Sequence, residues 1–425
     1  MQNNNKIQVS EYETLKADGK YKCFKEHHVN LLAKYHSMNP GCPYFTPSFK
    51  SIIFKSYVGV IKVGDITIEV LPKTDKHDIE KKDWQSILLE MLKISLQVDA
   101  KTSTLADIHI RKHSVLETYI QIFLDEVRKL LHQGLTKKYR RNIGNQKVLK
   151  GKLLFHQHIS KNLVHAERFY VANQVYDRNN IFNSLLAETL ECIRSVSISD
   201  NLTQQSKALL LDFGEFDNIN INERIFQNLT YDRKTERYKP ALEIARIILL
   251  NYHPDLKGGS NNILAIMFDM NLLWEKFIFY SLKRAVKLDT TQKVKIHPQS
   301  REKYWKDSNG RTLSLKPDLI VKYADKSVVI DTKWKYESKV SIQDIRQMYA
   351  YGDYFDAQQN YLLYPDKLDE TDKVIVKSGK YFQPAISNNS AWSKLCGLLY
   401  VDLIKENKLN KDIGIEILEK ILSYG

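Results

Sequence analysis

Three residues in KPDLIVKYADKSVVIDTKWKY, residues 316–336, have side chains that could do chemistry: Asp318, Asp331 and Lys333. They interrupt apolar runs in which valine or isoleucine would pack at no electrostatic cost. The runs LSLKPDLIVKY (313–323) and SVVIDTKWK (327–335) flank the short turn ADK, so they read as the two strands of a hairpin. Side chains two apart on a strand share a face. Asp331 and Lys333 therefore point one way, while Val328, Ile330 and Trp334 point the other way, toward a core. Asp318 lies opposite them if the register brings the strand ends together. Carboxylate oxygens are hard ligands for Mg2+, which holds a phosphate and lowers the pKa of a bound water. A lysine beside them orients that water or stabilises charge on a phosphorane. The arrangement suits phosphodiester hydrolysis. The alternative is a set of surface ion pairs, because the same charges buried without partners would be costly.

A lone DxK triplet carries no weight, but further residues stand in order around this one. Upstream, Glu275 sits in the helical stretch NLLWEKF. Downstream, SIQDIRQMYAYGDYF (341–355) reads as a helix on which Gln347 and Tyr351, four apart, share a face. Between them, Arg301, Lys303, Trp305, Lys306 and Arg311 interleave basic and aromatic side chains, and Lys335 follows the triplet. Such a mixture lines a nucleic-acid groove or forms a solvated loop. Lys306, Arg311 and Lys335 are the candidate DNA contacts.

The elements that must position these residues leave their own marks. SYVGVIKVGDITIEVLPK (56–73) alternates around GD and reads as a β-hairpin. Helical spacing covers 83–97 and 114–135, the second opened by Ser114 as N-cap and closed near Gly134. TKKYRRNIGNQKVLKGK (136–152) has seven basic residues and no acidic one, which reads as a solvated loop or as a contact with phosphate or a partner. VLKGKLLFHQHI reads as a strand with His156 and His158 on one face, but no third ligand falls at metal-site spacing. Helices follow over 180–196 and 239–252. The turn-rich 253–262 marks a boundary, and 263–286 reads as one long helix. Strands and short helices then alternate to about Tyr364. The expected class is α/β, with a mixed α/β region over 1–150, a mainly helical region over 151–260 and an α/β domain over 261–425 that holds the candidate residues.

Composition bounds the partners. Lys+Arg number 64 against Asp+Glu 50, a net charge of +14, which favours a polyanion such as nucleic acid unless the chain is simply lysine-rich. A hydrophobic content of 43% excludes a disordered chain. Cys23, Cys42, Cys192 and Cys396 form no CxxC pair, which argues against a structural zinc and a disulfide framework. The polar N-terminus does not read as a signal peptide, and no apolar run reaches membrane-spanning length, so no membrane partner and a cytoplasmic location are expected. GNQKVLKGKL has the wrong glycine spacing for a phosphate-binding loop and lacks Ser/Thr after its lysine, so the chain is not expected to bind nucleotide itself. No GxSxG elbow is present.

The order helix-Glu, PD, strand-DxK, then QxxxY on a helix resembles the PD-(D/E)xK nuclease fold in its RecB-like branch. Together with NNILAIMFDMNLLWEKFI, LKGKLLFHQHI and ERFYVANQVYDRNNIFNSLL, it resembles the McrC family, the nuclease subunit of McrBC-type restriction systems, over roughly residues 59–364. The resemblance implies a C-terminal mixed sheet flanked by helices, and an N-terminal half that docks on a McrB-like AAA+ GTPase hexamer. It also implies that the chain stimulates that partner's GTP hydrolysis and cuts double-stranded, modified DNA. It implies that Asp318 and Asp331 bind Mg2+, with Mn2+ able to substitute, and that Glu275 supports the metal or its water. It further implies that Lys333 activates the water and that Gln347 and Tyr351 steady the site or contact DNA. Trp274 stands where the family's helix usually has phenylalanine before the glutamate. Two other readings remain at this point: a regulator that only docks on and stimulates the ring, and a stand-alone RecB-like nuclease.

Overall fold

The computed structural model describes residues 5–72, 81–95, 115–165, 167–196, 199–214, 216, 219–253, 263–288, 294–324, 326–335, 340–357, 359–366, 374–381, 395–406 and 408–423. The chain divides into two compact units, residues 1–115 with 267–425, and residues 116–266. The sequence pattern suggests three regions; tertiary packing groups the two ends of the chain together. Among the described residues no helix is long and apolar enough to cross a membrane.

The first unit opens with β1 (Lys6–Ser10), β2 (Thr14–Lys16), α1 (Glu26–Met38), β3 (Phe45–Ser48), β4 (Ser51–Phe54), β5 (Tyr57–Val63), β6 (Ile66–Leu71) and α2 (Lys81–Ser95). β5 and β6 form the expected antiparallel hairpin, and Gly64 takes the left-handed turn position at φ 57°. β1 adds to β6 in parallel, while β2, β4 and β3 make a small antiparallel sheet.

The second unit holds nearly all of α3 (Val115–His132), then β7 (Lys138–Gln146), β8 (Lys152–Leu153), α4 (Phe155–Asn162), β9 (Phe169–Asp177), α5 (Ile181–Val196), α6 (Asp200–Phe213), α7 (Glu223–Gln227), α8 (Lys239–Leu250) and β10 (Tyr252–His253). Ser114, the expected cap of α3, lies outside the described residues, as does most of the turn-rich 253–262. The first half of the basic segment is a strand. β7 pairs antiparallel with β9 along its whole length. Its inner side chains are engaged: Arg140 pairs with Asp177 at 3.0 Å, and the Lys138 ammonium lies 4.2 Å from the centre of the Phe182 ring. Its outer face carries Tyr139, Arg141 and Ile143, with Tyr139 against Tyr176 of β9 at 4.8 Å. The strand expected over 148–159 is only β8. Phe155, Ile159 and Leu163 recur every four residues, a helical period, so His156 and His158 fall on α4 and share no face. Exposed apolar residues gather here: Tyr139 (73%), Phe155 (67%), Leu163 (80%) and Val164 (88%), with Val148, Leu149 and Ile159.

The long helix expected over 263–286 is instead β11 (Ile263–Asp269) followed by α9 (Met270–Leu288). A continuous apolar run marks a strand buried on both faces as readily as a helix. Asp269 accepts a hydrogen bond from the Asn271 N–H at 2.9 Å, which fixes where the helix starts.

The rest of the first unit contains β12 (Lys295–Pro298), β13 (Glu302–Lys306), β14 (Thr312–Leu315), β15 (Leu319–Tyr323), β16 (Lys326–Thr332), α10 (Ile342–Tyr354), β17 (Gln359–Asp366), β18 (Val374–Lys380), β19 (Leu395–Asp402), β20 (Ile404–Lys405), β21 (Lys408–Leu409) and α11 (Ile413–Ser423). Six of these strands form one mixed sheet in the order β12-β15-β16-β17-β19-β18. β16 runs antiparallel to β15 and parallel to β17, which is parallel to β19. The chain is thus mixed α/β, as expected. The expected strand over 313–323 is broken at Lys316-Pro317-Asp318, because proline has no N–H to give the ladder. Its first part pairs with β13 and its second with β16. β16 is buried on both faces, with Val328 and Ile330 on one and Val329 on the other. α10 covers the second face through Met348 and Tyr351, packed with Ile320, Val329, Leu362 and Tyr364. Gly414 lets α11 lie directly on α9, since a Cβ there would meet the Ser281 carbonyl oxygen.

Candidate active site

β15 and β16 pair through Leu319 and Ile330, so Asp318 follows one step beyond the ladder, level with Asp331. The pairing condition left open by the sequence is met. Thr332, between Asp331 and Lys333, donates to Asp318 Oδ2 from its backbone N–H at 2.7 Å and from its hydroxyl at 2.9 Å. Asp331 is buried on the face covered by α10. Its Oδ2 lies 2.7 Å from Lys333 Nζ, a charge contact with no hydrogen bond aligned to that oxygen. The main chain at Lys333 is held by its N–H donating to the Leu363 carbonyl at 2.9 Å.

Glu275 comes from α9. Gln299 donates from Nε2 to Glu275 Oε1 at 2.5 Å, and its backbone N–H donates to the Asp318 carbonyl at 2.9 Å. Gln299 sits at φ 44°, a left-handed conformation uncommon for a residue other than glycine. Burial raises all three carboxyl pKa values. For Glu275, burial and then the nearby Asp318 charge push it up to about 7. Burial also raises Asp331, with the Asp318 charge adding to it and Lys333 opposing. Asp318 is raised by burial against the pull of the Thr332 hydrogen bonds. Burial draws the Lys333 pKa down, but the Asp331 and Asp344 carboxylates outweigh it and hold the ammonium charged.

α10 brings the downstream pair in. Lys333 Nζ donates to Gln347 Oε1 at 3.4 Å, Gln347 Nε2 donates to the Tyr351 hydroxyl at 2.7 Å, and that hydroxyl donates to the Lys316 carbonyl at 2.9 Å. One relay thus ties the lysine to the backbone just before Pro317. Lys335 reaches the rim, with Nζ 3.9 Å from Asp344 Oδ2. Lys306 and Arg311 do not join the carboxylates; they sit on the exposed β13–β14 hairpin. The sequence reading missed Thr332, Gln299 and Asp344. Asp344, whose Oδ1 lies 3.4 Å from Lys333 Nζ, is three residues before Gln347 and so on the same helical face, a spacing that could have revealed it. Thr332 is the middle residue of DTK, whose backbone direction only the register discloses.

The residue types suit a hard divalent cation, although the three carboxylates as they stand do not bring one oxygen each within 4.8 Å of one another. The buried Asp331 and the half-buried Asp318 and Glu275 repel one another and are drawn toward their protonated forms, a cost that a cation among them would offset. Each is turned to its own partner, Asp318 to Thr332, Asp331 to Lys333 and Glu275 to Gln299. Elsewhere among the described residues, His27, His28 and Asp65 bring ligand atoms within 4.8 Å of one another. There, His28 Nδ1 accepts the Lys25 N–H at 3.1 Å, so Nε2 carries the proton toward Asp65 and is not free as a ligand.

Known proteins can be set beside this geometry. The McrBC 5-methylcytosine restriction system component family matches residues 52–365. Comparison with curated proteins gives no match. Among solved structures, the chain is similar to one in the refined half-complex from the tetradecameric assembly of Thermococcus gammatolerans McrB AAA+ hexamers with bound McrC. The TM-score is 0.62 at 17% identity, covering 98% of this chain and 100% of that one. A chain in the cryo-EM structure of the Thermococcus gammatolerans McrBC complex matches with TM-score 0.48 and 18% identity, covering 66% of this chain and 88% of that one. The match to the family over most of its length, which takes in Glu275, Asp318, Asp331, Lys333, Gln347 and Tyr351, means that this chain belongs to the McrBC 5-methylcytosine restriction system component family.

Proposed function

We propose that this chain is the McrC-like endonuclease subunit of a restriction system, hydrolysing phosphodiester bonds of double-stranded, modified DNA with Mg2+, or Mn2+ in its place. The observation that carries this reading is the meeting of Asp318, Asp331 and Glu275, all with raised pKa values, beside a charged Lys333. Asp318, Asp331 and Glu275 would hold the cation, which when bound supplies charge neutralisation at the scissile phosphate and acidifies a water. Thr332 fixes the Asp318 carboxylate, and Gln299 fixes Glu275. Lys333, kept protonated by Asp331 and Asp344, orients the attacking water and stabilises the growing charge on phosphate rather than removing a proton. Gln347 and Tyr351 hold that lysine and the Lys316-Pro317 backbone in place.

The partner in this reading is a McrB-like AAA+ GTPase hexamer whose GTP hydrolysis the chain stimulates. The solved relative belongs to an assembly of McrB hexamers with bound McrC. Here the many exposed apolar side chains on β7, β9 and α4 support docking, since large apolar side chains concentrated in one stretch of surface suit a protein partner. Retention of Asp318, Asp331 and Lys333 favours the nuclease over the purely regulatory reading. The test is cleavage of methylated DNA by the purified chain with Mg2+, GTP and the partner GTPase. Cutting that requires the partner and is lost in Asp331→Ala supports the proposal. Partner-independent cutting points to a stand-alone nuclease, and no cutting with intact GTPase stimulation points to the regulator.

A further inference from the structure

The β13–β14 hairpin has a form that the catalytic centre does not explain. All five residues of β13 are exposed, and the two strands pair only with each other among the described residues. A free two-stranded ribbon has little core of its own. Tyr304 has no cross-strand partner, because the register slips between Lys303 and Trp305. Such a bulge re-aims side chains. Here the Tyr304 ring meets Tyr354 of α10 edge-on at 5.9 Å, while Trp305 remains 51% exposed. The Tyr354 hydroxyl also donates to the Lys303 carbonyl at 2.8 Å. The ribbon is thereby fixed at one end to the helix that carries Gln347 and Tyr351. At the same end β14 stops at Leu315, paired with Glu302 and three residues before Asp318, so the Lys306–Thr312 tip is the end that projects.

Charge identifies the occupant. Arg301, Lys303, Lys306, Arg311 and Lys316 stand against Glu302 and Asp307 over this stretch. Asp307 is partly consumed, accepting the Arg311 N–H at 2.6 Å to close the turn at Gly310. Lys303, Tyr304, Trp305, Lys306, Gly310 and Thr312 border an open cleft of about 410 Å³. The major groove of a duplex admits a two-stranded β-ribbon, and basic side chains beside an exposed aromatic suit its phosphate walls and base edges. We infer that this hairpin is a DNA-binding ribbon that enters a groove of the duplex and holds it against the carboxylate centre. The inference rests on the nuclease reading and adds the element that grips the substrate.

The test measures binding of a short fluorescent duplex to the full chain in EDTA, between about 50 and 200 mM salt. Lys303→Ser, Lys306→Ser and Arg311→Ser together should weaken binding and make the salt dependence shallower by about 2 to 3, near 0.9 for each phosphate no longer neutralised. Trp305→Ala should weaken binding about tenfold with the salt dependence unchanged. Unchanged affinity and slope in both variants would overturn the inference, as would loss of GTPase stimulation with DNA binding intact, which would make the ribbon a protein contact. Absence of duplex binding by the unaltered chain at low salt would overturn it too. The nuclease reading is judged separately, by whether cleavage in the presence of the partner depends on Asp331.

Discussion

Two regions of this protein invert ordinary packing in opposite directions. Beside the six-stranded sheet, three carboxylates and a lysine are drawn partly or wholly out of water. On the β7–β9 ribbon and α4, aromatic and aliphatic side chains are left in water. Burying charge is expensive, and exposing a contiguous apolar face is uncommon. Each inversion becomes reasonable if the region is completed by something else, a cation and a phosphodiester in the first and a protein surface in the second. On the proposed reading, one chain would divide its two tasks between two compact units, and the defect in packing would indicate the chemistry of the missing partner. Trp274 shows the ordinary case. It is fully buried against Phe277 and Trp334, so the departure from the family's phenylalanine is a change of core volume beside Glu275.

The comparison can be broken at either end. Beyond the loss expected at Asp331, the largest effect is expected at the exposed face. Tyr139→Ser with Ile143→Ser should raise the concentration needed for half-maximal GTPase stimulation by about a hundredfold, as removal of two interface anchors would. Stimulation at the unaltered concentration would remove that face from docking. A smaller effect is expected from Tyr351→Phe. It strips the hydroxyl from between Gln347 and the Lys316 carbonyl, and cleavage should fall about tenfold, in the range found for outer-shell partners of metal ligands, without change in GTPase stimulation. An unchanged cleavage rate would show that the relay does not position Lys333.

The smallest effect is a dependence on pH. The folded pKa of Glu275, about 7, lies above the ordinary carboxylate value. The folded chain therefore binds more protons than the unfolded one between about 4.5 and 7, and its metal-free stability falls as pH rises through that window. A cation must displace those protons. Mg2+ should accordingly raise the melting temperature more at pH 8 than at pH 6, with each kcal/mol of difference worth about 1–2 °C in a chain of this size. Equal shifts at both pH values would mean that these carboxylates do not hold the metal.

Much of the site could be read from sequence because it depends on short-range rules. Alternation along 327–335 put Asp331 with Lys333, and the helical period put Gln347 with Tyr351; both pairs meet in the structure. What could not be read is set by tertiary packing. The burial of Val329 along with Val328 and Ile330 depends on α10 folding over the sheet. Gln299 reaches Glu275 across 24 residues, through a left-handed backbone that no local pattern announces. The apolar run 263–269 fits a strand or a helix until its partners are known, whereas the four-residue spacing of Phe155, Ile159 and Leu163 was legible and points to α4.

The central claim is that the buried carboxylates cut and the exposed face docks, each without the other. The most direct measurement follows DNA cleavage and GTP hydrolysis in one reaction containing the partner GTPase, Mg2+, GTP, methylated DNA and either the unaltered chain or Asp331→Ala. The account predicts that the substitution lowers cleavage by about a thousandfold or more, the scale of several kcal/mol of lost transition-state stabilisation, and leaves GTP hydrolysis at its stimulated rate. Loss of both activities in a folded Asp331→Ala chain, or cleavage that persists in it, would contradict the account.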